Sequence, residues 1–239
     1  MRTREGVKYA IKVFEAQWDH RHDESVKPFF EQLKRDTSEI EVKRAKGRRR
    51  RQSHDALFSY AVFQNAEGLR DMLNAVDTGI GKREKAAYFA CHGTEKSLCA
   101  LQDISRTKLK NIIADLTTYD GLLFGACDSA TRETAEQLLD AASHCRWVAG
   151  YSSWTPWLEG TLCDLLFFRL LLSGKFRRPK KNVKWEDLQN PEEAARQLYQ
   201  VFPQAVELRF SLFYRTAAGI KSTLDEFISQ KGGAESAGA

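Results

Sequence analysis

The sequence lacks any apolar run that approaches the roughly 20 residues needed to cross a bilayer, so we predict no membrane-spanning helix and no membrane partner. The segment Met1–Glu15 also lacks the apolar stretch and the small-residue cleavage site of a secretory signal. Of the 239 residues, 42% are hydrophobic and 29% are charged, which is typical of a globular chain that can bury a core. This composition excludes a wholly disordered protein.

Closely spaced metal-ligand pairs are also scarce. The five cysteines include no C-x-x-C pair, and His20 and His22 stand without a second pair, so we predict neither a structural zinc site nor any other cofactor. The odd number of cysteines in a chain of this length argues against a disulfide framework. We therefore expect reduced thiols and a cytoplasmic location.

The positive charge is concentrated in one segment. Seven of the nine residues from Lys43 to Arg51 are Lys or Arg, and without them the net charge of +5 becomes −2. We favour an exposed loop over residues 43–52, solvated by water. Two other interpretations stay open: a contact with nucleic acid through these cations, which the scarcity of nearby aromatics weakens, and a site of autolysis.

Strand-like and helix-like segments alternate along most of the chain, which predicts an α/β fold with a mostly parallel sheet and helices on both of its faces. We expect one domain over residues 1–230 and a disordered tail over Lys231–Ala239. The predicted strands are Lys8–Glu15, Glu39–Lys43, Ala86–Cys91, Tyr119–Cys127, Arg146–Tyr151 and Val206–Tyr214; the predicted helices are Ser25–Arg35, a helix capped by Ser53 that extends through Leu73, Ser105–Leu116, Thr131–Ala142, Gly160–Leu172 and Asn190–Phe202.

Two of the predicted strands end at reactive residues. His92 directly follows one apolar run, and Cys127 ends the next. Sites in such sheets form at the carboxyl ends of the strands, and one intervening helix makes these strands neighbours, so both side chains are expected on one rim. A thiol and an imidazole placed together supply a nucleophile and a general acid/base.

Backbone groups beside these residues complete the hypothesis. Gly93 exposes its N–H, and with the N–H of Cys127 it is predicted to hold the oxyanion of a tetrahedral intermediate. Taken singly, a cysteine at a strand end is more often a small buried residue, and a histidine before glycine is more often a turn residue. Their matching positions favour the functional interpretation. Cys91 is the rival thiol, but strand alternation directs it to the opposite side from His92.

Three motifs in order resemble the CHAT family, the caspase-like peptidases of clan CD. Tyr88–Gly93 (YFACHG) is similar to the family's histidine motif, Gly125–Ala130 (GACDSA) to its cysteine motif, and Trp147–Trp157 to the strand and loop that follow the cysteine. The resemblance spans roughly residues 8–174. It implies a caspase-like three-layer sandwich and a thiol protease with a His92/Cys127 dyad, in which the histidine chiefly protonates the leaving amine.

The sequence departs from true caspases in two respects. The pentapeptide around the cysteine is GACDS, and 35 residues separate His92 from Cys127, against the roughly 50 of caspases. These departures favour the shorter CHAT-like layout, and we do not transfer the caspase preference for aspartate.

Two loops are expected to contact substrate, because in related folds they line the pocket for the residue before the scissile bond (P1). The first holds Asp19, Arg21 and Asp23, and the second holds Ser152 and Trp154. An acidic floor from Asp19 or Asp23 would select Lys or Arg at P1, whereas Arg21 would select Asp or Glu. We favour the acidic floor. Trp154 and Trp157 either line a binding surface or fold back onto the core, the commoner fate.

We therefore predict a cysteine endopeptidase that cleaves a specific protein substrate. By the family resemblance, it acts in bacterial defence or regulated cell death and is activated by a partner or sensor protein. Two other classes remain open: a non-catalytic interaction module with the same fold, and a nucleic-acid-binding protein that uses Lys43–Arg51.

Overall fold

A seven-stranded sheet forms the centre of the computed structural model, which describes residues 9–18, 25–44, 58–75, 84–116, 118–173 and 190–236. Its strand order is β2-β1-β3-β6-β7-β8-β9, and a separate antiparallel pair joins β4 to β5. The strands are Tyr9–Ala16 (β1), Phe58–Phe63 (β2), Glu84–Ala90 (β3), Ser97–Leu98 (β4), Ile104–Ser105 (β5), Gly121–Gly125 (β6), Trp147–Tyr151 (β7), Phe210–Thr216 (β8) and Gly219–Ser222 (β9).

The strands from β2 to β7 in this order run parallel, and β8 and β9 are antiparallel to their neighbours. β1 is buried along its whole length, as is β7, because helices cover both faces of the sheet. The helices are Lys27–Arg44 (α1), Ala66–Asn74 (α2), Arg106–Ala114 (α3), Arg132–Ala141 (α4), Trp157–Ser173 (α5), Pro191–Val201 (α6), Gln204–Glu207 (α7) and Thr223–Ser236 (α8).

Two hydrophobic clusters lie on opposite faces of the sheet. One contains side chains of α1, α5, α6 and α8, and the other contains side chains of α2, α3 and α4. The fold is therefore an α/β three-layer sandwich with a mostly parallel central sheet, as predicted. No helix among the described ranges is both long and apolar enough to span a membrane.

Side-chain caps fix several helix starts that the sequence predicts. Asn190 Oδ1 accepts a hydrogen bond from the Glu193 N–H (3.0 Å), and Pro191 is the first helical residue of α6. Ser105 caps α3 and Thr131 caps α4 in the same manner. These caps satisfy backbone donors that would otherwise lack partners at the helix ends.

The predicted strand Glu39–Lys43 is wrong, because α1 continues as one helix to Arg44. A strand there would need a partner, and β2 already pairs with the outer side of β1. The predicted basic loop over residues 43–52 therefore begins inside a helix, since Lys43 and Arg44 are its last two residues. The remainder of that basic segment lies outside the described residues.

The predicted single helix from Ser53 to Leu73 is also wrong. Residues 58–63 form β2, because their aromatic and β-branched side chains suit a strand that pairs in parallel with β1. Asn65 then caps α2 through a 2.8 Å hydrogen bond from the Gly68 N–H. Ser53 itself lies outside the described residues.

Two predictions near the carboxyl terminus need smaller corrections. The predicted strand Val206–Tyr214 is divided, since Val206 and Glu207 belong to the short helix α7 and β8 begins at Phe210. The predicted disordered tail starts too early, because α8 extends to Ser236. Two effects favour the longer helix. The Lys231 ammonium lies 4.9 Å from the Phe227 ring centroid. In addition, a helix that is already formed gains a backbone hydrogen bond with each added residue.

Candidate functional site

Strands β3 and β6 bring His92 and Cys127 to equivalent positions. The two strands are adjacent and parallel, and Ala90 pairs with Gly125 at their ends. His92 and Cys127 each lie two residues beyond that pair. The prediction that the two strands are neighbours is thus confirmed, and both residues lie at the same edge of the sheet.

A pocket opens at this edge, and both residues line it. The His92 side chain is exposed and Cys127 is half-buried. The pocket lies between the strand ends and the start of α5; other residues that line it include Glu15, Trp18, Tyr88, Gly125, Tyr151 and Thr155. In the part of the chain that the structure describes, no cluster of three His, Cys, Asp or Glu residues is arranged to hold a metal ion.

The Cys127 sulfur is bracketed by the backbone of Thr155, in the loop after β7. The Thr155 N–H donates to Sγ at 3.3 Å, and Sγ lies 3.6 Å from the Thr155 carbonyl oxygen. The next residue, Asp128, has a φ of 52°, a left-handed conformation that non-glycine residues seldom adopt. The chain therefore turns sharply just after the cysteine.

The His92 ring is held against Trp18, which follows β1. Their ring centroids are 4.6 Å apart in an edge-to-face arrangement. The His92 carbonyl accepts a hydrogen bond from the Cys99 N–H (2.9 Å), which fixes the backbone behind the ring. Trp18 therefore limits the orientations of the imidazole.

Gly93 lies against the Cys127 peptide unit. A Cβ atom on Gly93 would come within 2.5 Å of the Cys127 carbonyl oxygen, so only glycine fits there without a shift of the backbone. Among the described residues, neither the Gly93 N–H nor the Cys127 N–H donates a hydrogen bond. Their role as oxyanion donors stays a prediction.

A buried carboxylate lies beneath the pocket, on α5. Asp164 is 1% exposed and accepts hydrogen bonds from Tyr151 (2.7 Å) and Tyr88 (2.9 Å), whose side chains line the pocket. Burial raises the pKa of Asp164 to about 7, against the two hydrogen bonds, which lower it. A Cβ atom on Gly125 would lie 2.7 Å from a carboxylate oxygen of Asp164. The absence of a side chain at Gly125 therefore leaves room for this carboxylate beside the pocket wall.

Glu15 is a second buried carboxylate in the pocket lining. It accepts hydrogen bonds from the Ser25 hydroxyl (2.9 Å), the Val26 N–H (3.0 Å) and the Tyr60 hydroxyl. These contacts join the end of β1 to the residues just before α1. Glu15 therefore lines the pocket directly, whereas Asp164 contacts Tyr88 and Tyr151, which line it.

The predicted substrate-binding residues are placed differently from one another. Asp19, Arg21 and Asp23 lie outside the described residues. Ser152 is half-buried, and its hydroxyl accepts a hydrogen bond from Arg209 Nε at 3.4 Å. Trp154 is 73% exposed on the loop that brackets Cys127.

Trp157 differs from its neighbour Trp154, although both flank Pro156. Its ring lies 5.9 Å from that of Phe29, and it packs against the hydrophobic cluster of α1 and α5. Of the two tryptophans in question, Trp157 therefore folds back onto the core, and Trp154 remains open to solvent.

The other cysteines have more enclosed surroundings. Cys91, Cys145 and Cys163 are buried, and burial raises the pKa of each thiol, to about 12 for Cys145. Cys99 is half-exposed, and burial raises its pKa as well. A raised pKa leaves little thiolate near neutral pH, which disfavours these four as nucleophiles.

The structure adds site residues that the motifs did not identify. Trp18 and Thr155 contact His92 and Cys127. Asp164 had a detectable signal, since it is a carboxylate within the strongly apolar segment Gly160–Leu172, where a buried charge needs partners. The contacts of Thr155 are made by its backbone and leave no signature in the sequence.

Comparison with known proteins supports this architecture. No family model matches the sequence, and no curated protein matches it. Among solved structures, iotapain, a secreted C11 cysteine protease from Bacteroides thetaiotaomicron, superposes with a TM-score of 0.52 at 12% identity over 87% of this chain and 67% of that one. This chain has the fold of a C11 cysteine protease.

Two further C11 structures give similar values. A secreted C11 cysteine protease from Bacteroides thetaiotaomicron in complex with an irreversible peptide inhibitor has a TM-score of 0.47 at 12% identity, over 87% of this chain and 66% of that one. An inactive zymogen from Parabacteroides distasonis has a TM-score of 0.49 at 12% identity, over 94% of this chain and 65% of that one. The chain thus spans about two thirds of the length of these C11 proteases, which belong to the caspase-like clan CD.

Proposed function

We propose that the protein is a cysteine endopeptidase in which Cys127 is the nucleophile and His92 is the general acid/base. One observation carries the proposal: the two side chains lie at equivalent positions beyond adjacent parallel strands and line one pocket. The half-exposed sulfur of Cys127 and the exposed imidazole of His92 suit these roles, because both must reach a substrate.

The proposed reaction has two stages. The Cys127 thiolate attacks the carbonyl carbon of the scissile amide, a C–S bond forms, and the N–H groups of Gly93 and Cys127 bind the oxyanion. His92 then protonates the departing nitrogen as the C–N bond breaks, which leaves an acyl-enzyme. Water attacks this thioester, and His92 accepts the proton from the water. The C–S bond then breaks, which restores the Cys127 thiolate and the protonated His92 and releases a carboxylic acid that ionises in solvent.

We propose Lys or Arg at the P1 position of the substrate. Glu15 is a buried carboxylate in the pocket lining, and the buried Asp164 contacts Tyr88 and Tyr151, which line the same pocket. A substrate cation near these groups would favour the ionised form of Asp164. Asp19 and Asp23 remain proposed contributors to the same selection. Ser152 and Trp154 are proposed to contact the substrate on the outer side of the pocket.

We further propose, from the resemblance to the CHAT family, a cytoplasmic role in bacterial defence or cell death with activation by a protein partner. The resting contacts of the Cys127 sulfur with the Thr155 backbone support the activation step, because a bound substrate must compete with them. We propose that the chain alone cleaves slowly, and that a partner that shifts the loop after β7 would release the sulfur and raise the rate.

The test is cleavage of a peptide library, read by mass spectrometry, with the wild-type chain, Cys127→Ala and the matched thiol control Cys99→Ala. We expect cleavage after Lys or Arg by the wild-type chain and by the Cys99 variant, and at least a roughly 1000-fold loss for the Cys127 variant. Equal cleavage by all three chains would contradict the proposal, and no cleavage together with intact cellular function of Cys127→Ala would favour the interaction module.

A further inference from the structure

The Arg106 side chain lies between the two loops of the candidate site. It is the first residue of α3, directly after the cap Ser105. Its Nη2 donates to the Thr94 carbonyl and to the Asp128 carbonyl (3.1 Å), and its Nε donates to the Glu95 carbonyl (3.4 Å). One side chain thus links the loop after β3 to the turn after β6.

These contacts are unusual for a half-buried arginine. All three acceptors of the described guanidinium bonds are backbone carbonyls, whereas arginine ordinarily pairs with carboxylates or phosphates. Burial lowers the pKa of Arg106, and its Nη1 has no hydrogen-bond partner among the described residues. Placing this cation between the loops therefore has a free-energy cost that ordinary surface solvation would avoid.

The linked segments belong to the site. Thr94 and Glu95 follow Gly93 directly, two and three residues after His92, and Asp128 directly follows Cys127. Asp128 also has a left-handed φ, a conformation that must be held by its surroundings. The hydrogen bond from Arg106 to its carbonyl supplies part of that restraint.

We propose that Arg106 is a positioning residue that holds the loop of His92 against the turn of Cys127, and so sets the distance between imidazole and sulfur. The role rests on the proposed function, since it acts through the two reacting side chains and not on the substrate. An error of about 1 Å in such a distance lowers the rate about 100-fold.

The chain contains a matched control. Arg132 is likewise the first residue of a helix and likewise follows a side-chain cap, Thr131. Arg132 is exposed, and its Nη2 donates a hydrogen bond to the Asp225 carboxylate (2.6 Å) on α8. Asp225 belongs to neither loop of the candidate site. Arg132→Met therefore removes an arginine from the same kind of helix position without touching the link.

The experiment compares Arg106→Met, Arg106→Lys and Arg132→Met with the wild-type chain in cleavage of a Lys- or Arg-containing peptide. For Arg106→Met we expect kcat to fall 10- to 100-fold with KM changed less than about 2-fold, because positioning affects the transition state more than binding. Arg106→Lys retains a cation that reaches fewer acceptors, so its kcat is expected between the two. Arg132→Met should match the wild-type chain.

A second readout keeps this inference separate from the proposed function. Alkylation of Cys127 by iodoacetamide from pH 5 to 9 is measured against Cys99 in the same molecule, and we expect Arg106→Met to change the Cys127 profile in the direction that His92→Ala changes it. A wild-type profile and wild-type kcat in folded Arg106→Met or Arg106→Lys would overturn the inference. Absence of peptidase activity with the altered profile would contradict only the proposed function.

Discussion

The two faces of strand β3 carry different chemistry at adjacent residues. On one face, the Tyr88 hydroxyl donates to the buried Asp164 carboxylate beneath the pocket. On the other, the Phe89 ring stacks on Phe124 at 4.7 Å in an apolar cluster. We call the face of Tyr88 the polar face, although the rest of its cluster is apolar, and the face of Phe89 the apolar face. We infer that the apolar face contributes packing alone, while the polar face also accepts a buried carboxyl group at a cost in stability, beneath the candidate site.

The largest stability effect is expected on the apolar face. Phe124→Ala removes a fully buried ring and leaves a cavity beside Phe89, so we expect a loss of about 3–5 kcal/mol in the free energy of unfolding. Denaturant titration measures it. A loss below about 1 kcal/mol would show that this face contributes less than the comparison requires.

A pH-dependent effect is expected on the polar face. Burial raises the pKa of Asp164 from 3.8 to about 7, so between these values the folded chain binds a proton that the unfolded chain has released. The stability that Asp164 contributes therefore falls as the pH rises through this window and is constant above it.

Asp164→Asn should remove this dependence. Relative to the wild-type chain, we expect the variant to gain about 2–3 kcal/mol between pH 5 and pH 8, measured by denaturant titration at each pH. A difference that stays constant across this range would mean that Asp164 is ionised throughout.

A smaller effect is expected from one tyrosine of the same cluster. Tyr151→Phe removes the hydroxyl that donates to Asp164 at 2.7 Å, and we expect a loss of about 1–2 kcal/mol because one oxygen of a buried carboxylate loses its donor. Tyr199→Phe, which removes a buried hydroxyl bonded to Thr223, is the matched control for a tyrosine away from the pocket. If the free energy of unfolding depended more steeply on pH in Tyr199→Phe than in Tyr151→Phe, the contrast between the two faces would be contradicted.

The smallest effect is expected outside both faces. Arg132 and Asp225 form an exposed ion pair at 2.6 Å, and Asp225→Ala should change the free energy of unfolding by less than about 1 kcal/mol. Addition of salt should reduce the difference further. A loss as large as that of Phe124→Ala would show that α8 is held chiefly by this contact.

The positions of His92 and Cys127 could be predicted because each follows a continuous apolar run, and neighbouring parallel strands bring their ends together. The region from Lys27 to Phe63 was less predictable. The alternation in Glu39–Lys43 fits both a strand and a helix. Strand β2 forms by pairing with β1, whose partner residues lie 47 positions earlier in the chain.

Contacts distant in sequence set the remainder of the site. Asp164 meets Tyr88 across 76 residues, and Arg106 meets Asp128 through a backbone carbonyl that any residue possesses. Apolar periodicity reports which face of an element is buried, but it does not report which buried polar groups meet. These features could be found only from the folded chain.

The most direct test of the central claim is labelling by a peptidyl acyloxymethyl ketone with Lys or Arg at P1, followed by mass mapping of all five cysteines. The account predicts one covalent adduct, on Cys127, that Cys127→Ala abolishes and Cys99→Ala leaves intact. Labelling of Cys99 in preference to Cys127, or a wild-type chain that the reagent does not modify, would contradict it.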